Sequence, residues 1–520
     1  MTINFPHIAY AAIAPMLIVF GAAALGVLVE AFVPKRWRYL TQLVVALAGL
    51  VAALVVLITQ ADTRLVTAGQ AIAVDGPALF LQGSIVVLAV MAVLLIGERA
   101  LEKGGPFVAQ AAITVGSDDD RRQAAHADGA TEVYPLAMFA VGGMMLFVSA
   151  NDLLTMFIAL EVLSLPLYLM CALARRRRLV SQEAALKYFM LGAYASAFFL
   201  FGVALVYGFT ASVQAAPGRQ AGGVDFATIH SAATASPANR ALLFGGLAMI
   251  SIGLLFKAAA APFHVWTPDV YQGAPTPVTA FMAACTKVAA FGALLRILYV
   301  AFDGAKWDFT PVIGAVAILT MLVGAVLSVT QTDLKRLLAY SSIANAGYLL
   351  VGVLAGGRAG ISSSMFYLVA YGFTVIAAFA VVTLVRDADG EATHLSRWAG
   401  LGRRSPVFAG VFTFILLAFA GIPLTSGFIS KFAVFGAALE GGQTWLVIAG
   451  VITSMILAFP YLRVVVMMWL SEPGESTPTI AVPGALTAAS LVIGVAATLV
   501  LGVAPAPLLN LSDTAGQFIR

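Results

Sequence analysis

The sequence predicts an all-α polytopic membrane protein of about fourteen transmembrane helices, the seventh and twelfth of them discontinuous. Three observations predict it. Of 520 residues, 61% are hydrophobic and only 10% are charged, whereas soluble domains carry about 25% charged residues. The apolar residues come in runs of about 20, the length a helix needs to cross a bilayer core, and not in the period-two alternation of a membrane barrel. Two of the runs are too long for one straight span and carry prolines in the middle.

Composition excludes several classes. Cys171 and Cys285 lie in apolar runs and read as small core residues; two cysteines cannot build a disulfide framework or hold an iron–sulfur cluster. No GxxxxGK[ST] or GxGxxG pattern occurs, so nothing points to nucleotide binding. The net charge of +4 does not point to nucleic acid. The N-terminal MTINFPHIAY lacks a basic segment and runs into a full span, so the first helix is expected to be uncleaved.

The predicted spans are 8–32, 39–59, 78–97, 132–150, 152–173, 182–209, 240–271, 276–301, 309–330, 334–356, 360–386, 405–440, 442–470 and 480–503. Loops after odd-numbered spans carry 17 basic residues, among them Lys35, Arg99, Lys103, Arg121, Arg175 to Arg178, Lys335, Arg336 and Arg386; loops after even-numbered spans carry 5, among them Arg64 and Arg219. The positive-inside rule then places the odd loops in the cytoplasm and both termini outside. The long loop at 100–131, with SDDDRRQ, reads as a solvated cytoplasmic loop.

Of the 29 basic residues, Arg463 lies near an inside end and Arg520 at the terminus, and five remain inside spans: Lys187, Lys257, Lys287, Arg296 and Lys431. Glu161 joins them, about ten residues from either end of its span. A charge at helix centre costs about 2.5–3.5 kcal/mol on the lenient insertion scale, so six together cost about 15–20 kcal/mol unless paired or hydrated. Glu161, Lys257, Lys287 and Lys431 are therefore functional candidates. Lys187 is near enough to its helix end to snorkel, yet it is also placed to partner Glu161 on the adjacent helix. Arg296 is expected to snorkel.

Span seven would be about 48 Å long if straight. It contains KAAAAPFHVWTPD, with Pro262 and Pro268 bracketing His264 and Trp266; span twelve contains GIPLTSGFISKF, with Pro423, Ser426 and Gly427 ahead of Lys431. The two broken helices are five spans apart and so cross in opposite directions, the mark of an inverted-topology repeat. The expected organisation is 1–131 with spans one to three and a polar loop, 132–301 as a first five-helix repeat, 302–471 as a second, inverted one, and 472–520 with span fourteen. A carboxylate and several amines strung through such a fold suggest a proton relay. In this reading Glu161, with Lys187, controls the protonation of Lys257; the proton passes by His264 and water to Lys287 and on to Lys431.

The runs FKAAAAPFHVWTPDVYQGAPTPVTAF (256–281) and TDLKRLLAYSSIANAGYLL (332–350) closely resemble the antiporter-like membrane subunits of the proton-pumping NADH:quinone oxidoreductase, respiratory complex I. VYQG (270–273) places the chain nearest the subunit-N branch, and the resemblance spans essentially the whole chain. It implies a fourteen-helix antiporter-like fold in the membrane arm of a bacterial inner-membrane translocase. It also implies a subunit that binds no cofactor and moves a proton while NADH, FMN, iron–sulfur clusters and quinone react in partner subunits. The implied partners are the L-, M-, K-, J-, A- and H-type subunits and the lipid bilayer, with no nucleic acid. The family's proton-path residues fall on Glu161, Lys187, Lys257, Lys287 and Lys431. One departure is Asn345, where relatives commonly carry histidine; an amide cannot carry a proton. The alternative readings are a subunit of an Mrp-type cation/proton antiporter and a membrane scaffold that moves nothing.

Overall fold

In a bilayer core no water is present to bond a peptide group, so each apolar run must close its own hydrogen bonds and becomes helical. The computed structural model describes residues 8–102, 104–108, 113–119, 122, 129–213, 222–235, 240–387, 390–473 and 478–519. Lys103, Arg121, Arg219 and the terminal Arg520, counted in the charge analysis, lie outside the described residues.

The first six spans are Tyr10–Phe32, Lys35–Thr59, Gly76–Gly97, Val133–Ser149, Leu153–Cys171 and Arg178–Ser212. Span seven is broken into Arg240–Ala258 and Trp266–Gly273, and span eight runs over Thr276–Ala301. Spans nine to eleven are Lys306–Val329, Leu334–Ala355 and Gly357–Leu384. Span twelve is broken into Pro406–Ala420 and Ser426–Glu440, and Thr444–Leu470 and Ala485–Val503 complete the fourteen. Among the described residues twelve helices are long and apolar enough to cross a membrane; the other two spans are Val133–Ser149 and the broken twelfth. This is the antiporter-like architecture, with discontinuous helices seven and twelve.

Aspartates outside the apolar runs start several spans. Asp75, Asp152 and Asp333 cap spans three, five and ten by accepting from the amides of Ala78, Thr155 and Arg336. Spans eight, ten and eleven are almost wholly enclosed by the others and form the axis of the bundle. Span eight is not a uniform helix: Met282–Thr286 and Ile297–Ala301 are π-helical. The first π segment ends directly before Lys287 and resets which face that lysine presents.

Several features differ from the sequence expectation. Span six is 35 residues long because its start lies at Arg178, four residues before the apolar run. The hairpin of Leu65–Thr67 with Ile72–Val74, a small sheet of Val385–Asp387, Gly390–Glu391 and Thr479–Ile480, and the helices Phe226–Ala235 and Ala506–Ala515 fall where loops were expected. The 100–131 segment is not simply solvated, since Phe107 and Val108 are buried and Val108 and Arg175 exchange backbone bonds with Leu173 and Pro106. Arg178 and Lys335, read as loop charges, are buried as well.

Arg296 does not snorkel. Its guanidinium makes two bonds to the Asp75 carboxylate, at 3.0 and 2.6 Å, and a third to the Val148 carbonyl at 2.9 Å. Both side chains are 0% exposed. Span eight is enclosed by the other helices along its length, so the guanidinium meets protein and not water, and its bidentate partner arrives from the cap of span three. Asp75 also accepts from the amide of Ile519, so one carboxylate joins spans three and eight to the C-terminal segment. Asp75→Asn is expected to cost about 3–5 kcal/mol by leaving a buried charge unpaired. The paired Asp75→Asn, Arg296→Met variant should recover part of that loss, read as the thermal unfolding midpoint in detergent.

Candidate functional site

Lys257 occupies the last turn of the first half of span seven. The helix stops there because Ala259 takes a positive φ of 62° and prolines follow. The freed groups find partners inside the protein, as the membrane requires. Trp266 Nε1 donates to the Phe256 carbonyl at 2.9 Å, and the Ala261 amide donates to Thr320 Oγ1 of span nine at 3.0 Å. The break also turns the Trp266 indole onto the Tyr188 ring, stacked at 4.5 Å. Tyr188 in turn accepts the Lys257 amine at 3.1 Å, and the rings of Tyr188 and Tyr168 lie 5.1 and 5.6 Å from the amine. Gly192 makes room for Tyr168: a Cβ there would sit 2.0 Å from the phenol oxygen.

Glu161 faces this pocket from span five, close enough to act electrostatically on both Lys257 and Tyr168. No hydrogen bond or ion pair joins Glu161 to either, and its Oε1 is buried without a partner among the described residues. His264, in the break itself, is half-buried, and its Nδ1 likewise has no partner among the described residues.

Lys287 is buried in span eight; its amine donates to the Ser342 carbonyl of span ten at 2.6 Å, with the Tyr371 ring 5.3 Å away. Lys431, in the second half of span twelve, reaches back to the end of the first half. It donates to the carbonyls of Phe419 and Ala420, both at 3.1 Å, and to the Ser454 hydroxyl at 2.9 Å. Those carbonyls are the unpaired C-terminal groups of a half-helix, where the macrodipole favours a cation. Tyr348 lies 5.2 Å from this amine. Asn345 lines the small cavity beside Lys431, taking a bond from the Tyr367 phenol at 2.5 Å and giving one to the Ser341 carbonyl at 2.8 Å.

The three lysines share one design. Each amine rests on neutral oxygens with an aromatic face alongside, and none forms an ion pair with a carboxylate. Such a group is stabilised when charged by hydrogen bonds and ring quadrupoles, and on losing its proton it strands no anion.

Lys187 behaves differently. It does not pair with Glu161; its amine bonds Glu183 at 2.7 Å and Asp269 at 2.8 Å, and the side chain is 42% exposed. Asp269, in the second half of span seven, also holds Arg336 of span ten at 2.6 Å. One of the two carboxylates that hold Lys187 is thus delivered by the helix break. Asp269, Arg336, Tyr188 and Ser454 were not singled out by sequence reasoning. Asp269 is the one acidic residue in the 256–281 run and was the available signal.

The chain matches the family model described as NADH:quinone oxidoreductase/Mrp antiporter, TM, over residues 150–457. A curated NADH-quinone oxidoreductase subunit N from Salinispora arenicola is 74% identical, over 100% of this chain and 99% of the relative. The chain belongs to the NADH-quinone oxidoreductase subunit N family. Another subunit N, from Rhodococcus opacus, is 57% identical over 100% of the chain and 98% of the relative. A chain in the structure of respiratory complex I from Thermus thermophilus with bound aureothin is 32% identical, with a TM-score of 0.75 over 96% of this chain and 99% of that one. A chain of the Mrp complex from Dietzia, at 23% identity and a TM-score of 0.81 over 98% and 97%, shares the fold.

In this chain the seat of Lys431 depends on Gly421, which has a φ of 84° and leaves Lys431 Cδ and Nζ 3.1 and 3.2 Å from where a Cβ would lie. Gly421→Ala is expected to cost about 1–2 kcal/mol from the left-handed backbone and to push the amine off its carbonyls. Gly410→Ala, with open space at that point, is the control. Equal thermal midpoints for the two variants in detergent would show that the glycine is not needed.

Proposed function

We propose that the chain is a proton-translocating subunit in the membrane arm of NADH:quinone oxidoreductase. Its path comprises Glu161, Lys257, His264, Lys287 and Lys431, with Lys187 acting through Asp269. The observation that carries the reading is the shared setting of the three lysines: buried amines on neutral oxygens, two of them at the breaks of helices seven and twelve. A lysine clamped to a carboxylate would be a structural cation, whereas these three can take up and release a proton.

Glu161 controls the protonation of Lys257 through its charge. Its distance from direct contact suits that role, because a small movement of span five changes the interaction without breaking a bond. No hydrogen bond joins Lys257, Lys287 and Lys431 to one another among the described residues. Transfer between them therefore runs through side-chain hydroxyls and water. The hydroxyls of Thr267 and Thr286 are buried without protein partners among the described residues, and that of Ser342 lies within reach of the Tyr271 phenol; these can serve as such stations. Asn345 can orient water near Lys431 but cannot relay a proton by titrating.

The chain performs no redox step in this reading. Electrons pass from NADH through FMN and iron–sulfur clusters to quinone in partner subunits, and L-, M-, K-, J-, A- and H-type subunits complete the arm. In this reading the odd loops lie in the cytoplasm of a bacterial inner membrane and both termini outside, an orientation that the segregation of basic residues supports. Residues 132–301 and 302–471 then act as two inverted repeats, each contributing one broken helix, with 1–131 and 472–520 flanking them.

Lys257→Met and Lys257→Arg test the proposal in native membranes. Both are expected to let the complex assemble and to lower the protons taken up per NADH oxidised, because neither side chain can release a proton. Assembled complexes that pump at the wild-type ratio would remove Lys257 from the path. Loss of assembly with an unchanged ratio in the complexes that remain would make the subunit a scaffold.

A further inference from the structure

Lys335 is a buried lysine that the relay described above does not use. By sequence it belongs with the loop charges, yet it lies in the first turn of span ten and only 3% of it is exposed. Its amine donates to the Ala274 carbonyl at 2.8 Å and to Thr276 Oγ1 at 3.0 Å. Ala274 belongs to the linker after the second half of span seven, and Thr276 is the first residue of span eight. The Thr276 hydroxyl also donates to a carboxylate oxygen of Glu391. Lys335, Thr276 and Glu391 thus form a chain of acid, hydroxyl and amine, with Asp333 and Arg177 as the other charges acting on the amine.

This chain lines a cavity of about 70 Å³, room for a few waters. Its walls include Glu102, Arg176, Arg177 and Arg386, all from odd-numbered loops, so in the orientation proposed above the cavity lies on the cytoplasmic side. Arg176 stands at the rim, half-exposed and paired with Glu102. In the other direction, Ser342 is seven residues beyond Lys335 on span ten, two helical turns and about 10 Å away on the same face. The carbonyl of Ser342 holds Lys287, and its hydroxyl lies within reach of the Tyr271 phenol.

We propose that Lys335 is the cytoplasmic inlet of the relay: it takes a proton from this cavity and passes it toward Lys287 by way of Ser342 and Tyr271, with Glu391 and Thr276 as its gate. In the step, a water-borne proton adds to the neutral amine. That N–H bond later breaks as one forms on Lys287 through the intervening hydroxyls and water, and no other bond changes. The same linker gives the gate a means of opening. The second half of span seven is held to span ten by Lys335 at Ala274 and by Arg336 at Asp269, so displacing that half-helix releases Lys335 from its carbonyl. The inference rests on the relay reading.

The test uses the assembled complex in inverted native membrane vesicles. Lys335→Arg keeps the charge and the bond to Ala274 but gives up no proton. It is expected to retain assembly and to lose protons pumped per NADH to the same extent as Lys335→Met. A purely structural lysine would instead be rescued by arginine, and wild-type pumping by Lys335→Arg overturns the proposal. Lys287→Met separates the two levels: if it stops pumping while Lys335→Arg pumps normally, the relay stands and this inlet falls. If Lys287→Met pumps normally, the relay reading falls and the inlet with it. Should Lys335→Arg fail to assemble, Arg176→Cys decides. Labelling with a bulky, membrane-impermeant maleimide from the cytoplasmic face is expected to lower the pumping ratio, relative to labelled wild type whose Cys171 and Cys285 are buried. An unchanged ratio after complete labelling overturns the proposal.

Discussion

An ammonium group in a bilayer interior has to be solvated by the protein, and the organisation of this chain follows from how that is done. Water would offer each amine several oxygens; the fold offers carbonyls, hydroxyls and ring faces. Carbonyls are normally consumed by the helix that carries them, so supplying one means breaking a helix or drawing on one that can share. At Lys431 the broken span twelve supplies the two terminal carbonyls of its first half. At Lys257 the broken span seven supplies an aromatic stack instead, Trp266 on Tyr188, which holds a phenol oxygen against the amine. The breaks are therefore the means by which buried cations are tolerated, and packing alone does not account for them.

The carboxylates sit apart from these lysines. Asp75 is spent on Arg296 in a closed, fully buried, bidentate pair. Asp269 bridges Lys187 and Arg336 where water can reach all three. Glu161 is held near Lys257 with no hydrogen bond to it among the described residues. A fully satisfied pair makes a strut, while an amine on neutral oxygens stays able to change state. The chain uses both, and burial by itself does not tell them apart; the partner does.

Much was legible in the residues. Fourteen apolar runs, two of them overlong and interrupted, became fourteen spans with breaks at 259–265 and 421–425. Glu161, Lys257, Lys287 and Lys431 stood out because a charge in an apolar run is rare and costly. What failed were statements about partners. Arg296 looked close enough to a helix end to reach water, but Asp75 is 221 residues away in sequence and cannot be paired with it by any local rule. Lys187 seemed to belong to Glu161 on the next helix, yet the broken span seven swings Asp269 under it. Lys335 was filed with the loop charges because it lies one residue inside its helix; only the linker after span seven and the 390–393 segment fold over it.

The linear chain by itself determined where the helices are, which of them break and which side chains pay a membrane penalty, because those depend on hydrophobicity, length and proline chemistry that act locally. Only the tertiary structure decided what each buried charge is bonded to. That choice depends on contacts between helices far apart in sequence, and on π-helical turns such as Met282–Thr286 that rotate one face of span eight relative to the rest. The oxygens on which the buried lysines rest come from another helix or from across a helix break, and no local rule names them.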